Sequence, residues 1–312
     1  MSAVAVRRTV EGDNLDELNE GNALWMGAEQ ELRTVAAVPP DRGDAAIFVA
    51  EVDGQAVGCA VGIAAPGAAF GYGMARVYVQ PPTRRQGVGT SLFKAVCDLC
   101  ANRQLPGIMA SVPDSEPDGL AAALHAGLVD HGHHIESALD LTAFDVAMAR
   151  QEGERVRAAG VVLTQLPDDT DELTWRAVHA FFKDRLGETP DSREGGGNMP
   201  YEVFRSFLEN PWQVLLARQQ RTGEMVGITC LMPRADGPSR LNTMFTGVHP
   251  DSRGQNLSRA LKAEQAQLMQ AAGWSEILTQ NMDGNKAILA VNAVLGFVPV
   301  GGTRDLGFSL AR

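Results

Sequence analysis

Apolar positions along the chain alternate between short runs typical of strands and stretches with helical spacing. The segment "AAIFVAEVDGQAVGCAVGIAA" predicts two strands joined at Asp53-Gly54, a dipeptide typical of a two-residue hairpin. The run "ARVYV" then passes through a proline-containing turn into an apolar stripe from Val88 to Leu99, whose spacing predicts a helix. A strand, a second helix and a last strand follow. This order predicts an α/β or α+β fold with a mixed sheet.

The same order of elements occurs again further along the chain. Residues match at one constant offset of 169 positions: Gly54 with Gly223, Val79 with Val248, Arg84 with Arg253, Gln86 with Gln255, and Gly127 with Gly296. Single matches of glycine or apolar residues arise by chance, but one offset relates three separate motifs without an insertion. The sequence therefore indicates a duplicated domain.

The boundary between the copies is predicted within "AMARQEGERVRAAG", a polar and charged segment that we interpret as a join. We place the first domain at residues 1–150 and the second at residues 155–312. The second copy also contains "FFKDRLGETPDSREGGGNMPYEVFRSFLEN", whose glycine run predicts a loop between two helical pieces.

Composition narrows the class of protein. The 312 residues are 45% hydrophobic and 21% charged, as in a soluble globular protein of two domains. A formal net charge of −11 argues against a nucleic-acid partner and tolerates a cationic small molecule such as an amine. No run of about 18 apolar residues predicts a membrane span, and no signal-peptide core is apparent. We therefore expect a cytoplasmic protein without a membrane partner.

The segment "RRQGVG" lies between the strand ending at Val79 and the predicted helix. A helix N-terminus has unpaired backbone N–H groups and binds anions, and Gly87 and Gly89 leave room for a phosphate to approach. The segment is neither a P-loop nor a dinucleotide fingerprint. A basic surface loop is the alternative interpretation. Its repetition in the second copy favours an anion-binding loop suited to a pyrophosphate.

The motif V-x-P-x-x-R-x-x-G-x-G at Val79–Gly89 resembles the coenzyme-A-binding signature of the GCN5-related N-acetyltransferases. In the second copy, "TQNMDGNKAILAVNAVLGF" resembles the segment that follows further along in that family. The resemblance covers both copies, and the tandem arrangement is similar to that of mycothiol-synthase-like proteins. It implies two tandem acyl-CoA N-acyltransferase domains and acetyl-CoA as the cosubstrate.

The resemblance also implies which residues contact the coenzyme. Backbone amides of the loop would hold the pyrophosphate, the preceding strand would pair with the pantetheine arm, and a strand amide would polarise the thioester carbonyl. The implied residues are Val77, Tyr78, Val79, Arg84, Arg85, Gln86, Gly87, Val88, Gly89 and Thr90 in the first copy, and Gly247, Val248, Arg253, Gly254, Gln255, Asn256, Leu257, Ser258, Asn281 and Asn285 in the second.

Both copies depart from the family pattern. Asn256 and Ser258 stand where the family usually has glycine or alanine. The tyrosine that members often use as an acid for the leaving thiolate is replaced by Ala123 in one copy and by Asn292 in the other. Asn292 can donate a hydrogen bond and is our candidate catalytic residue. The sequence leaves open which copy is catalytic, with a preference for the second because tandem relatives often keep that copy active.

A general base is needed because an alkylammonium must lose a proton before it attacks. Neither copy has a carboxylate on the strand where many relatives place one. Asp184, Glu188, Asp191 and Glu202 lie in the segment specific to the second copy and could serve, although a solvated surface charge is the simpler interpretation of each.

Two further patterns predict no special chemistry. The histidines of "DHGHHIESALDL" lack metal-ligand spacing, so no metal site is predicted. The pair Cys97 and Cys100 lies on a predicted amphipathic helix without a second pair, which favours packing in a reducing compartment.

The predicted function is that of an acetyl-CoA-dependent N-acetyltransferase. It would transfer the acetyl group to a primary amine of a small molecule by direct attack on the thioester, since no Cys–His pairing indicates a covalent enzyme intermediate. One alternative is a non-catalytic module that binds acetyl-CoA or CoA. Another is an acyltransferase that uses a different acyl-CoA. The oligomeric state is not predicted.

Overall fold

The computed structural model describes residues 3–10, 13, 43–65, 71–189, 199–234 and 237–310. These residues form two compact units. The first unit contains the residues up to His133 and those from Thr303 onward. The second unit contains residues between His134 and Gly302. The expected division at residues 150 and 155 stays a prediction for the duplicated segments, because the compact units divide the chain inside two strands.

The first unit is a mixed sheet with helices. Its elements are strands β1 (Val4–Arg8), β2 (Asp44–Val52), β3 (Gln55–Ala64) and β4 (Gly73–Val79), helix α1 (Val88–Asn102), strand β5 (Gly107–Pro113), helix α2 (Pro117–His125) and the start of strand β6 (Val129–Asp140). The order in its sheet is β1-β2-β3-β4-β5, and only β4 and β5 run parallel to each other.

The second unit repeats this plan. It contains helix α3 (Val146–Ala158), strand β7 (Val161–Gln165), helices α4 (Glu172–Leu186) and α5 (Tyr201–Phe207), strands β8 (Val214–Gln219), β9 (Met225–Pro233) and β10 (Arg240–Val248), helix α6 (Leu257–Ala271), strand β11 (Glu276–Met282), helix α7 (Lys286–Val294) and the start of strand β12 (Val298–Ser309). The sheet order is β7-β8-β9-β10-β11, and only β10 and β11 run parallel to each other.

The last strand of each sheet comes from the other copy. Residues Thr303–Ser309 of β12 pair antiparallel with β5 in the first unit. Residues 134–140 of β6 pair antiparallel with β11 in the second unit. Residues 134 and 303 are equivalent at the offset of the duplication, so the two copies have exchanged the same strand.

In the first unit, helix α1 supplies one side of the core. Its buried residues are Val88, Leu92, Val96, Leu99 and Cys100, which recur every three or four positions as the sequence predicted. They pack with Phe48 and Ala60 of the sheet. This packing fixes the direction of α1, and therefore the position of its N-terminus at the end of β4.

In the second unit, the sheet is covered on both faces. Leu215 and Ala217 of β8 pack in the cluster that contains Leu261 of α6. Their neighbours on the strand pack with the aromatic residues of α4 and α5, as expected from the alternation of side chains along a strand. Trp175 and Phe182 of α4 are buried there.

Two local features of the sequence can be compared with the structure directly. The hairpin is confirmed: Val52 pairs with Gln55, and both Asp53 and Gly54 have positive φ. The polar join, for which no conformation was predicted, forms helix α3 over residues 146–158, and its N-cap Asp145 accepts from two backbone amides. The glycine run of the second copy lies outside the described residues. Across the described ranges, no helix has the length and apolar character of a membrane span.

The exchanged strand gives a test of the fold. Truncation after Gly302 removes the strand segment that pairs with β5 and leaves its backbone groups without partners on that side. We expect faster hydrogen exchange of the β5 amides and a less stable first unit. The control removes only residues 311–312 and should leave β5 protected. Equal protection of β5 in the two truncated proteins would contradict the assigned pairing.

Candidate active site

In each unit, the two parallel strands separate part-way along their length. In the second unit, β10 pairs with β11 over Arg240–Thr243 and then continues with only β9 beside it. In the first unit, the parallel pairing of β4 with β5 covers Gly73–Ala75. Each separation opens a gap in the sheet, lined by the backbone of β4 or β10.

The strand register decides which backbone amides face these gaps. The N–H of Gln80 donates to Val57 O and that of His249 donates to Val226 O, each at 2.9 Å. Because N–H groups along a strand alternate in direction, the amides of Val77, Val79 and Val248 face the gap. The amides of Tyr78 and Gly247 instead point to the neighbouring strand. Among the strand residues implied by the resemblance, these two therefore cannot offer their amides to a ligand.

The second copy has a β-bulge that the first copy lacks. The register between β9 and β10 shifts between Thr243 and Phe245, so Met244 is an extra residue. The register between β3 and β4 is continuous from Met74 to Val79. Bulges redirect backbone groups. This one lies where β10 leaves β11, and by the same alternation Thr246 also turns its amide to the gap. The sequence carried no signal for the bulge.

The loop after each strand has the same backbone in both copies. We call residues Arg84–Thr90 the first cradle and residues Arg253–Ser258 the second cradle. In the first, Arg85 and Gly87 adopt left-handed φ values of 61° and 85°. In the second, the equivalent Gly254 and Asn256 have φ values of 75° and 56°. Asparagine tolerates this region better than most residues, so Asn256 preserves the turn that Gly87 makes.

Both cradles end in a helix N-terminus. Helix α1 begins at Val88 and α6 at Leu257, and both of these side chains are buried in the core. Gln86, Gly87, Thr90, Gln255 and Asn256 are exposed, and Gly89 and Ser258 are half-buried. The first-turn N–H groups and the partial positive charge of the helix are therefore directed to this side, where an anion can bind.

The arginines of the cradles tie the strand ends to the loops. Arg84 Nε donates to Val79 O at 3.0 Å, and Arg253 Nε donates to Val248 O at 3.3 Å. Arg253 also forms an ion pair with Glu188. The same carboxylate pairs with Arg185, whose Nη2 lies 2.8 Å from Glu188 Oε1. Arg85 is largely exposed and lies 3.9 Å from Asp118. The predicted support of a pyrophosphate by these cations therefore competes with existing contacts.

The asparagines of the second copy form a network at the end of β11. Asn292 is buried, and its Nδ2 donates to Asn281 Oδ1 at 2.8 Å. Its own Oδ1 is buried without a hydrogen-bond partner. Asn285 caps α7, with its side chain accepting from the amide of Ile288 at 3.4 Å. Donation by Asn292 to a leaving thiolate stays a prediction, because one of its amide hydrogens is already bonded to Asn281.

The candidate bases differ in their surroundings. Asp184 and Glu202 are exposed. Glu188 is held between two arginines, Arg185 and Arg253. Asp191 lies outside the described residues. The structure assigns the base role to none of the three that it describes.

The cysteines and histidines show local packing. Burial raises the pKa of Cys97 and of Cys100 to about 11, so neither thiol is poised as a thiolate. His133 Nε2 lies 2.9 Å from Asp114 Oδ2. In the part of the chain that the structure describes, no group of three His, Cys, Asp or Glu side chains could hold a metal ion.

A buried lysine lies on helix α6. Lys262 is 5% exposed, and its Nζ lies 4.7 Å from the centroid of the Phe297 ring. Burial lowers the pKa of this amine to about 7, because a charged ammonium is poorly solvated there. The sequence pattern gave no indication of it, since a lysine at a helix position reads as a surface residue.

Comparisons with known proteins can be set beside this geometry. The family model described as "Acetyltransferase (GNAT) family" matches residues 16–125. A mycothiol acetyltransferase of Clavibacter michiganensis subsp. michiganensis is 28% identical over 267 residues, which cover 85% of this chain and 76% of that protein.

Two solved structures share the fold of the whole chain. A GCN5-related N-acetyltransferase from Sphaerobacter thermophilus aligns with a TM-score of 0.72 at 17% identity, covering 99% of this chain and 96% of that one. A tandem GNAT protein from the clavulanic acid biosynthesis pathway aligns with a TM-score of 0.72 at 18% identity, covering 99% of each chain.

The left-handed turn of the first cradle can be tested by stability. Gly87→Ala should lower the free energy of unfolding by about 1–2 kcal/mol, because a Cβ disfavours this conformation, and Gly87→Asn should lower it less. Denaturant unfolding measures both. The control Gly119→Ala, in α2 with only ordinary contacts for a Cβ, should be neutral or stabilising. Equal effects at the two glycines would contradict the turn.

Lys262 predicts a pH dependence of stability. Its pKa is about 7 in the fold and 10.5 in an ordinary lysine, so the unfolded chain binds an extra proton between these pH values. The contribution of Lys262 to the free energy of unfolding therefore increases as the pH rises from about 7 to 10.5. Lys262→Met should be more stable than the parent at pH 7, and urea titrations should show the difference shrinking toward pH 10.5. The exposed Lys94→Met should show no such trend; a pH-independent difference for Lys262→Met would refute the assignment.

Proposed function

Because the chain is a tandem N-acyltransferase of the GCN5-related N-acetyltransferase superfamily, we propose that it transfers the acetyl group of acetyl-CoA to a primary amine of a small molecule. The observation that carries the proposal is the gap beside β10, which leads to a cradle at the N-terminus of α6. The strand has amides turned to the gap, and the anion-binding loop follows directly after it. An acyl-CoA needs both, the strand for its pantetheine arm and the loop for its pyrophosphate.

The residues present fit acetyl-CoA as the cosubstrate. The cradle backbone has left-handed residues at the two positions that turn amides toward an anion, in both copies. The strand amides of Val77, Val79, Thr246 and Val248 could pair with the amides of a pantetheine arm. When bound, acetyl-CoA supplies an activated acyl group whose thioester carbonyl is open to attack by an amine.

The second copy is the better candidate for catalysis. Its bulge at Met244 redirects the backbone where the strands separate, and Thr246 and Val248 turn their amides to the same gap. An amide aimed at the carbonyl oxygen stabilises the negative charge that develops during acyl transfer. The first copy turns the equivalent amides of Val77 and Val79 to its own gap, but the continuous register of β4 gives it no bulge to redirect them.

Two parts of the mechanism rest on exclusion. The raised pKa values of Cys97 and Cys100 disfavour a covalent acyl-cysteine, which supports direct attack by the amine. No base is assigned among Asp184, Glu188 and Glu202, and an amine that enters uncharged or loses its proton to water needs none. An amine of low pKa is therefore the favoured acceptor. A cytoplasmic location stays a prediction.

A pair of equivalent variants tests both cradles. Gly89→Glu and Ser258→Glu each place a carboxylate beside the pyrophosphate position of one copy. Neither residue has positive φ, and glutamate is favourable in the first turn of a helix, so the fold should tolerate both. We expect acetyl-CoA binding at the altered cradle to weaken by about a hundredfold or more, measured by calorimetric titration. Matched controls are Ala101→Glu and Ala271→Glu, at the exposed C-terminal ends of α1 and α6.

Turnover on the same proteins then assigns the activity. We expect acetylation of small amines, but not of the corresponding alcohols, and loss of this activity in Ser258→Glu. Propionyl-CoA and succinyl-CoA as donors test the acyl group. Binding without turnover would instead support a non-catalytic coenzyme-binding module, for which the missing strand carboxylates argue. An unaltered protein that binds no acetyl-CoA would refute the proposed function.

A further inference from the structure

An arginine of helix α3 contacts the second cradle from outside it. Arg155 Nη1 donates to the carbonyl of Gln255 at 2.8 Å, and Nη2 donates to the carbonyl of Asn256 at 3.3 Å. These are the two residues that immediately precede helix α6. A single guanidinium therefore holds two successive peptide groups of the turn.

The planarity of the peptide gives this contact a consequence for the amides. In a trans peptide, the C=O and the following N–H point in opposite directions. When Arg155 holds the carbonyls of Gln255 and Asn256 on its own side, the N–H groups of Asn256 and Leu257 point away from it. A hydrogen bond to a charged donor also polarises the peptide, which makes these N–H groups stronger donors.

Arg155 is itself held by a buried carboxylate. Glu152 is 7% exposed, and its Oε2 accepts from Arg155 Nε at 3.0 Å and from Nη2 at 2.8 Å. Its Oε1 lies 2.6 Å from Arg259 Nη2, in the first turn of α6. Arg155 and Arg259 thus share the carboxylate of Glu152. We call these three residues the ion cluster; each oxygen of Glu152 contacts one of the two arginines.

Helix α3 is positioned for this contact by apolar packing. Val156 is buried in the cluster that includes Leu257 and Leu261 of α6. The N-terminus of α3 is capped by Asp145, which accepts from Ala147 N at 2.9 Å and from Met148 N at 3.3 Å. The ion cluster therefore lies between two helices whose relative position is set by the core of the second unit.

Arg155 lies outside the segments that the duplication matches, which run from Gly54 to Gly127 and from Gly223 to Gly296. The arginine that the second cradle itself carries, Arg253, is paired with Glu188. Arg155 is thus a cation that contacts the backbone of the second cradle from outside the matched segment.

We propose that Arg155 is a positioning residue for coenzyme binding, which fixes the amides of Asn256 and Leu257 toward the pyrophosphate in the second cradle. The inference rests on the proposed function, because it assigns the pyrophosphate of CoA to this cradle. It also explains how the second cradle keeps a rigid turn with asparagine at the place of Gly87. Glu152 acts one step further away, by holding the guanidinium in its orientation.

The test uses the full chain with Gly89→Glu as background, so that only the second cradle can bind. Into this background go Arg155→Met, Arg155→Lys and, as the matched control, Arg150→Met, which removes an exposed arginine of the same helix. Calorimetric titrations measure the affinity for CoA and for pantetheine, which lacks the pyrophosphate. Melting temperatures show whether each variant is folded.

We expect Arg155→Met to weaken CoA binding by about tenfold or more, with little effect on pantetheine and with a melting temperature like that of the control. Arg155→Lys keeps the charge and should recover part of the affinity. Unchanged CoA binding, or equal losses for CoA and pantetheine, would overturn the proposal. A Gly89→Glu protein that binds no CoA would overturn it too. CoA binding without acetyl transfer to any amine would count against the proposed function alone.

Discussion

The separation of two parallel strands is the constraint on which the rest of the site depends. A strand that leaves its neighbour keeps its backbone N–H and C=O groups, and these need other partners. Here Arg84 and Arg253 satisfy the last carbonyls of β4 and β10, and in doing so they fix the start of the loops that follow. The amides that remain turned to the gap are those of alternate residues. The chemistry of the site is therefore largely that of main chain, with side chains keeping it in place.

The two copies reach the same backbone by different means. The first places glycine at the last left-handed position before its helix, and the second places glycine two positions earlier and asparagine at the last. In the second copy, a helix outside the duplicated plan contributes a guanidinium to the turn. By its sequence alone, the first cradle matches the coenzyme-A-binding signature better than the second. The contacts around the loop add a hold on the second cradle that its own sequence does not show, because Arg155 donates to two of its carbonyls.

Patterns among residues close together in the sequence predicted much of the fold. The exchange of strands between the two copies was not predicted. The hairpin at Asp53-Gly54 and the apolar stripe of α1 are local patterns, and the structure has both. Helix α3 was not predicted because its face toward the core includes Glu152, a residue type typical of the surface, which is buried here against two arginines. Lys262 was missed because a lysine in a helical pattern is typical of a surface position. The strand exchange is invisible in the sequence, since equivalent strands of duplicated domains carry the same pattern and either can complete either sheet.

That exchange has a consequence for how such a gene can change. Residues 303–309 belong to the second repeat but complete the first sheet, and residues 134–140 do the reverse. A deletion that discards one repeat would remove an outer strand from the surviving one. Loss of either repeat therefore disturbs both sheets, whichever copy carries the chemistry. To fold alone, a single repeat would have to complete its sheet with its own equivalent strand instead.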